Sequence, residues 1–143
     1  MARINVKGVV IGGLLAGLII NIGETILNIP VLGAQLEAAM KALNLPPVGM
    51  GPVVVFLIGG FVLGLILVWL YAAIRPRFGA GPKTAMMAAI VLWFLAYFWP
   101  SLGMGLMGFM PMKLLLVGVA WGLAEVIVAA LVGGAVYKES VSS

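Results

Sequence analysis

Four long apolar runs, separated by short connectors that hold most of the polar residues, dominate this chain at about residues 8–29, 53–74, 84–100 and 114–137. At 1.5 Å of rise per residue, such runs are long enough as helices to cross about 30 Å of hydrocarbon. The third is the shortest, and the apolar stretch after it can extend the helix as far as residue 110. Pro30, Pro46, Pro47, Pro52, Pro76, Pro82, Pro100 and Pro111 lie at or beside the proposed ends, where a missing amide proton does least harm. The pattern predicts an all-α fold: a polytopic membrane protein whose four transmembrane helices bundle into one domain, residues 1–143.

Residues 31–44 break this pattern. Leu32, Leu36, Met40 and Leu43 recur at helical spacing, with Gln35, Lys41 and Asn44 elsewhere, which predicts a short interfacial helix in the first outer loop. Gly13/Gly17, Gly60/Gly64 and Gly118/Gly122 form Gly-xxx-Gly pairs in the first, second and fourth spans. These small-residue pairs are candidate helix-packing sites, within the chain or toward another copy.

Composition agrees: 64% of the residues are hydrophobic and 8% charged, far from the balance of an ordinary soluble domain. The Lys and Arg residues sit between spans and form no basic stripe, so nucleic acid is not an expected partner. Arg3, Lys7, Arg75, Arg77, Lys83 and Lys138 fall on one side, and Lys41 and Lys113 on the other. The positive-inside rule then expects both termini in the cytoplasm. Arg75, Arg77 and Lys83 double as candidate contacts for lipid headgroups. The first run follows Arg3 and Lys7 as a signal peptide would, but no Ala-x-Ala site follows it, so it is expected to be retained. Trp69, Tyr71 and Tyr137 at the inner boundary, and Tyr97 and Trp99 at the outer one, read as interfacial anchors.

The sequence has no Cys, His or Asp, which removes thiol nucleophiles, Cys/His zinc sites, histidine-ligated haem and Ser/His/Asp triads. No cofactor and no enzymatic activity are expected. Clustered thioethers at Met104, Met107, Met110 and Met112 are a candidate soft-metal site or, alternatively, a flexible apolar cap.

Glu24 and Glu125 are the only ionisable side chains inside the runs, and each costs about 2.5–3.5 kcal/mol near mid-membrane on insertion scales. On the first helix Gly13, Gly17, Asn21, Glu24 and Asn28 share one face with Thr25 beside it. On the fourth Gly118, Gly122, Glu125, Ala129 and Gly133 form another. The two stripes are expected to pack together, with Asn21 level with Glu125 and Glu24 about 5–10 Å further out. Two readings stay open for Asn21, Glu24, Thr25, Asn28 and Glu125: hydrogen-bonded glue between helices, or a proton- or cation-coupled site.

The stretches GLLAGLIINIGETILN, VWLYAAIRPRFGAGPKTA, WGLAEV and LVGGAVYKE resemble a group of small bacterial four-helix integral membrane proteins. The resemblance runs from Gly12 to Lys138. It implies a bacterial inner membrane and supplies no catalytic residues. The leading expectation is a non-catalytic accessory or structural subunit, held in the lipid bilayer against a membrane-protein partner or its own copies. The alternative is a homo-oligomeric small transporter or proton-coupled channel using the two carboxyls.

Overall fold

A computed structural model describes residues 3–140. All regular structure among them is helical: α1 (Val6–Ile26), α2 (Gly33–Ala42), α3 (Met50–Phe78), α4 (Pro82–Trp93), α5 (Trp99–Leu106) and α6 (Met112–Val136). One wide π turn, Leu27–Val31, continues α1, and another, Phe94–Phe98, joins α4 to α5. Four membrane-length spans result: Val6–Val31, Met50–Phe78, Pro82–Leu106 and Met112–Val136. The protein is a multi-pass helical membrane protein.

Both π turns have a proline as their cause. Pro30 lies inside the first, and Leu32 N–H reaches back five residues to Leu27 O at 2.8 Å. Ahead of Pro100, the Trp99 N–H bonds Phe94 O with the same five-residue reach. A proline removes one amide donor and crowds the carbonyl four residues back, and widening the turn relieves both. The third span therefore runs through Pro100 and stops at Leu106, short of residue 110.

The spans alternate in direction. The α1 helix lies against α3 and α6, and α4 lies against α6 and α3. The α1–α3 contact is built on glycine: a Cβ at Gly13 would strike Leu65, at Gly17 Phe61, and at Gly64 the backbone of Gly13 and Gly17. Against α6, the Gly12 carbonyl lies over Gly133. The core between these contacts is small or branched, with Ala16, Ile20, Leu67, Val68, Ala88, Val126 and Ala129 essentially sealed.

Several expectations need correction. The first-helix stripe does not meet the fourth helix as a unit, because Gly13, Gly17 and Asn21 face α3 while Gly12, Ala16 and Gly23 face α6. A helix wedged between two neighbours must divide its small residues between them. Gly60 and Gly64 take part as expected, and the Gly122 Cα faces the Tyr97 ring, but Gly118 has no neighbour within 4 Å of where its Cβ would stand. Arg75, Pro76 and Arg77 belong to the last turn of α3, leaving residues 79–81 as the connector. Gly79 and Gly81 make it possible with φ of 87° and 128°, values an L side chain rarely adopts.

The α2 helix is amphipathic as expected, with Leu32 buried, Leu36 and Met40 half-buried, and Gln35, Lys41 and Asn44 exposed, but Leu43, expected on the apolar face, follows the helix and is exposed. Asn44 ends the segment at φ 55°, a left-handed cap that asparagine tolerates. By contrast, residues 50–58 of α3 are exposed on every side.

Candidate functional site

The end of the bundle where α1 begins and α6 ends is closed by a polar clasp. Tyr71 and Tyr137, expected as interfacial anchors, are only 4% and 3% exposed. Their rings meet edge to face at 6.1 Å, and the Arg75 guanidinium lies 6.0 and 5.6 Å from their centroids. Arg75 also donates to Tyr137 O at 3.5 Å and pairs with Glu139 at 3.8 Å. The Tyr137 hydroxyl accepts from Asn5 N–H at 3.1 Å, Asn5 Nδ2 donates to Lys138 O at 2.8 Å, and Tyr71 accepts from Gly81 N–H at 3.1 Å. Each hydroxyl is thus engaged by backbone inside the bundle. Trp69 and Trp99, both exposed, keep positions suited to anchors.

Deeper in, Glu24 of α1 and Glu125 of α6 come together. Gly12 lies opposite Gly133, so antiparallel register puts Ile20 opposite Glu125 and Glu24 four residues, about 6 Å, beyond. Helical side chains lean toward their own N-terminus. Glu24 leans toward the clasp and Glu125 leans away from it, and that closes the offset. The Glu125 carboxyl lies against Gly23, where any Cβ would occupy the place of its Oε2, and Glu24 is its ionisable neighbour. The backbone levels of Asn21 and Glu24 are thus those expected, and it is side-chain direction that brings Glu24, and not Asn21, to Glu125. Asn21 turns to α3, donating to Leu57 O at 3.0 Å and lying against Gly60.

Glu125 is 7% exposed. Its Oε1 accepts from the Tyr97 hydroxyl at 3.0 Å, and its Oε2 has no hydrogen-bond partner. Tyr97 reaches it from the second π turn, its ring covering Gly122, so it is a ligand of the carboxyl and not an interfacial anchor. The Trp121 indole donates to Gly23 O at 3.1 Å and ties α6 to α1 beside the pair. On the far side Glu24, half-buried, accepts from Asn28 Nδ2 at 2.9 Å, and Asn28 is exposed. Thr25 donates to Asn21 O at 2.7 Å and lines, with Asn21, Ile22, Ile26 and Leu57, an open groove of about 300 Å³ between α1 and α3.

The structure thus joins Glu24, Asn28 and Glu125 into one site and directs Asn21 and Thr25 to another interface. Tyr97, Gly23 and Trp121 were not singled out by the sequence as parts of this site. Four apolar spans contain too many aromatics and glycines for position alone to mark these three, and Pro100 reads in the sequence only as a helix end, not as the cause of a distorted turn near Tyr97.

On the side of the pair away from the clasp, Glu24 is half-buried and Asn28 exposed. Toward the clasp lie the Gly12–Gly133 contact and the sealed core. Met104, Met107 and Met112 are exposed residues, Met107 at 69%, Met110 is half-buried, and the Met112 thioether lies over Gly105. Arg77 and Lys83 flank the connector at the clasp end. Comparison with family models, curated proteins and solved structures returns no match.

Proposed function

We propose that this chain is a proton-coupled transporter of a bacterial inner membrane, with both termini in the cytoplasm and Glu24 and Glu125 as the coupling pair. One observation carries the reading: a buried carboxyl with an unpartnered oxygen lies beside a second carboxyl in spans that hold no histidine and, in their interior, no lysine or arginine. Two carboxylates so placed require a proton or a cation between them. Exposure at Glu24 and Asn28 on one side of the pair, with the buried core on the other, is compatible with one state of an alternating cycle. The excess of Lys and Arg at the clasp end supports the orientation.

The test is flux into liposomes holding the purified protein under an imposed pH gradient. Glu125→Gln is expected to abolish pH-linked flux while the protein stays folded, and undiminished flux would reject the coupling role. A second reading, an accessory subunit bound to a membrane-protein partner, is favoured by residues 50–58 of α3, an apolar helical stretch that stays exposed. Mild-detergent purification with mass determination of the intact complex distinguishes the two, since a stoichiometric partner would move the activity to that partner.

A further inference from the structure

Resting on that reading, we infer that the ligand exchanged for the proton at Glu24 and Glu125 is a hard monovalent cation of the sodium class. The side-chain atoms at the site are carboxyl oxygens, the Tyr97 hydroxyl and the Asn28 amide, with the Gly23 carbonyl beside them. The acceptors are all oxygen, and the sequence supplies no thiolate or imidazole anywhere. Oxygen donors suit hard cations and disfavour soft ones.

The unpartnered Oε2 of Glu125 is the point of entry. It is buried, lies against the bare Cα of Gly23, and has Glu24 as its ionisable neighbour. The Tyr97 hydroxyl holds Oε1 and leaves Oε2 to the ligand.

Charge conservation selects a monovalent ion. A pair sharing one proton carries a net charge of minus one. One proton leaving as one monovalent cation enters keeps that buried charge constant, whereas a divalent ion entering for one proton changes it, at a cost of several kcal/mol per uncompensated ion. The entering ion sheds its water at the Asn28 end, where Glu24 is half-exposed. No bond is broken beyond the O–H that releases the proton.

Dicyclohexylcarbodiimide, which attacks protonated carboxyls from an apolar phase, is the probe. The purified full-length protein in detergent is treated at fixed pH and ionic strength in sodium chloride or choline chloride, and adducts on Glu24 and Glu125 are located by peptide mass. Labelling is expected in choline, with its rate falling severalfold in sodium. Equal rates in the two salts would overturn the cation assignment while leaving the proton-bearing pair intact. Absence of adduct in both salts would overturn both. As a second readout, sodium is expected to release protons from the wild type in weakly buffered detergent and none from Glu125→Gln. Release that persists in that variant would reject the site.

Discussion

The Tyr97 hydroxyl donates to Glu125 Oε1 at 3.0 Å, from the π turn that precedes Pro100. The bond joins the third span to the fourth next to the unpartnered oxygen. Tyr97→Phe keeps the ring over Gly122 and removes only the donor. It is expected to destabilise the protein by about 1–3 kcal/mol, the cost of leaving a buried acceptor unsatisfied, read as a lower midpoint of thermal unfolding in detergent. An unchanged midpoint would mean that the bond contributes nothing net.

Two glycines separate genuine close packing from mere spacing. Gly23→Ala places a methyl where Glu125 Oε2 lies and is expected to cost about 1–3 kcal/mol, as overpacked sites do. Gly118→Ala meets open space and is expected to be neutral or to stabilise by up to about 1 kcal/mol through helix propensity. The reverse ranking in thermal unfolding would show that the α1–α6 contact is misplaced.

Orientation follows from chemistry at the connectors. Cysteines introduced into this cysteine-free chain at Ala80, in the turn after α3, and at Val48, ahead of α3, are both exposed positions. In inverted inner-membrane vesicles, a membrane-impermeant maleimide is expected to label Ala80→Cys and not Val48→Cys. The opposite pattern would reverse the membrane orientation argued from the Lys and Arg distribution.

On α2, Lys41 Nζ lies 2.8 Å from Glu37 Oε1. This hydrogen bond first, and the ammonium charge second, hold the Glu37 carboxyl below the usual glutamate range. The same contacts raise the Lys41 ammonium above its ordinary value. A carboxyl depressed in the folded helix adds stability that is full above its unfolded value and lost as pH falls through the folded one. The lysine contribution is full below its unfolded value and lost as pH rises through its folded one. Amide protection in α2 is therefore expected to be highest between the two ranges and to fall on acidification. Glu37→Gln should remove the acid-side fall, and an equal fall in that variant would show that the pair has no part in it.

The sequence made the four spans legible because hydrocarbon requires about 20 apolar residues per crossing, and the Lys and Arg of the connectors could be counted directly. It also marked Glu24 and Glu125, since a carboxyl among apolar neighbours stands out. Their meeting was harder to foresee. Facing stripes were read by spacing alone, but α1 serves two neighbours, and the lean of the two side chains, not backbone level, brings the carboxyls together. Tyr71, Tyr97 and Tyr137 were misread for a related reason. A tyrosine near a span end has the same composition signal whether its ring faces lipid or turns inward, and only the partners of its hydroxyl tell the two apart.

The clasp offers the last test, because it holds the chain after α6 to the start of α1 and the end of α3. Arg75 sits over two aromatic rings and reaches both Tyr137 O and Glu139. Each cation–π contact contributes about 0.5–2 kcal/mol, depending on desolvation. The Glu139 pair, at 3.8 Å and partly exposed, adds at most about 1 kcal/mol. Arg75→Ala is therefore expected to lower stability by about 1–3 kcal/mol and to make the chain beyond Tyr137 more sensitive to protease. Glu139→Gln should do little of either. Most of the effect should persist in high salt, since screening acts on the exposed pair far more than on a guanidinium enclosed by two buried rings. If salt alone reproduces the Arg75→Ala phenotype in the wild type, the exposed ion pair holds the clasp and the tyrosine rings do not.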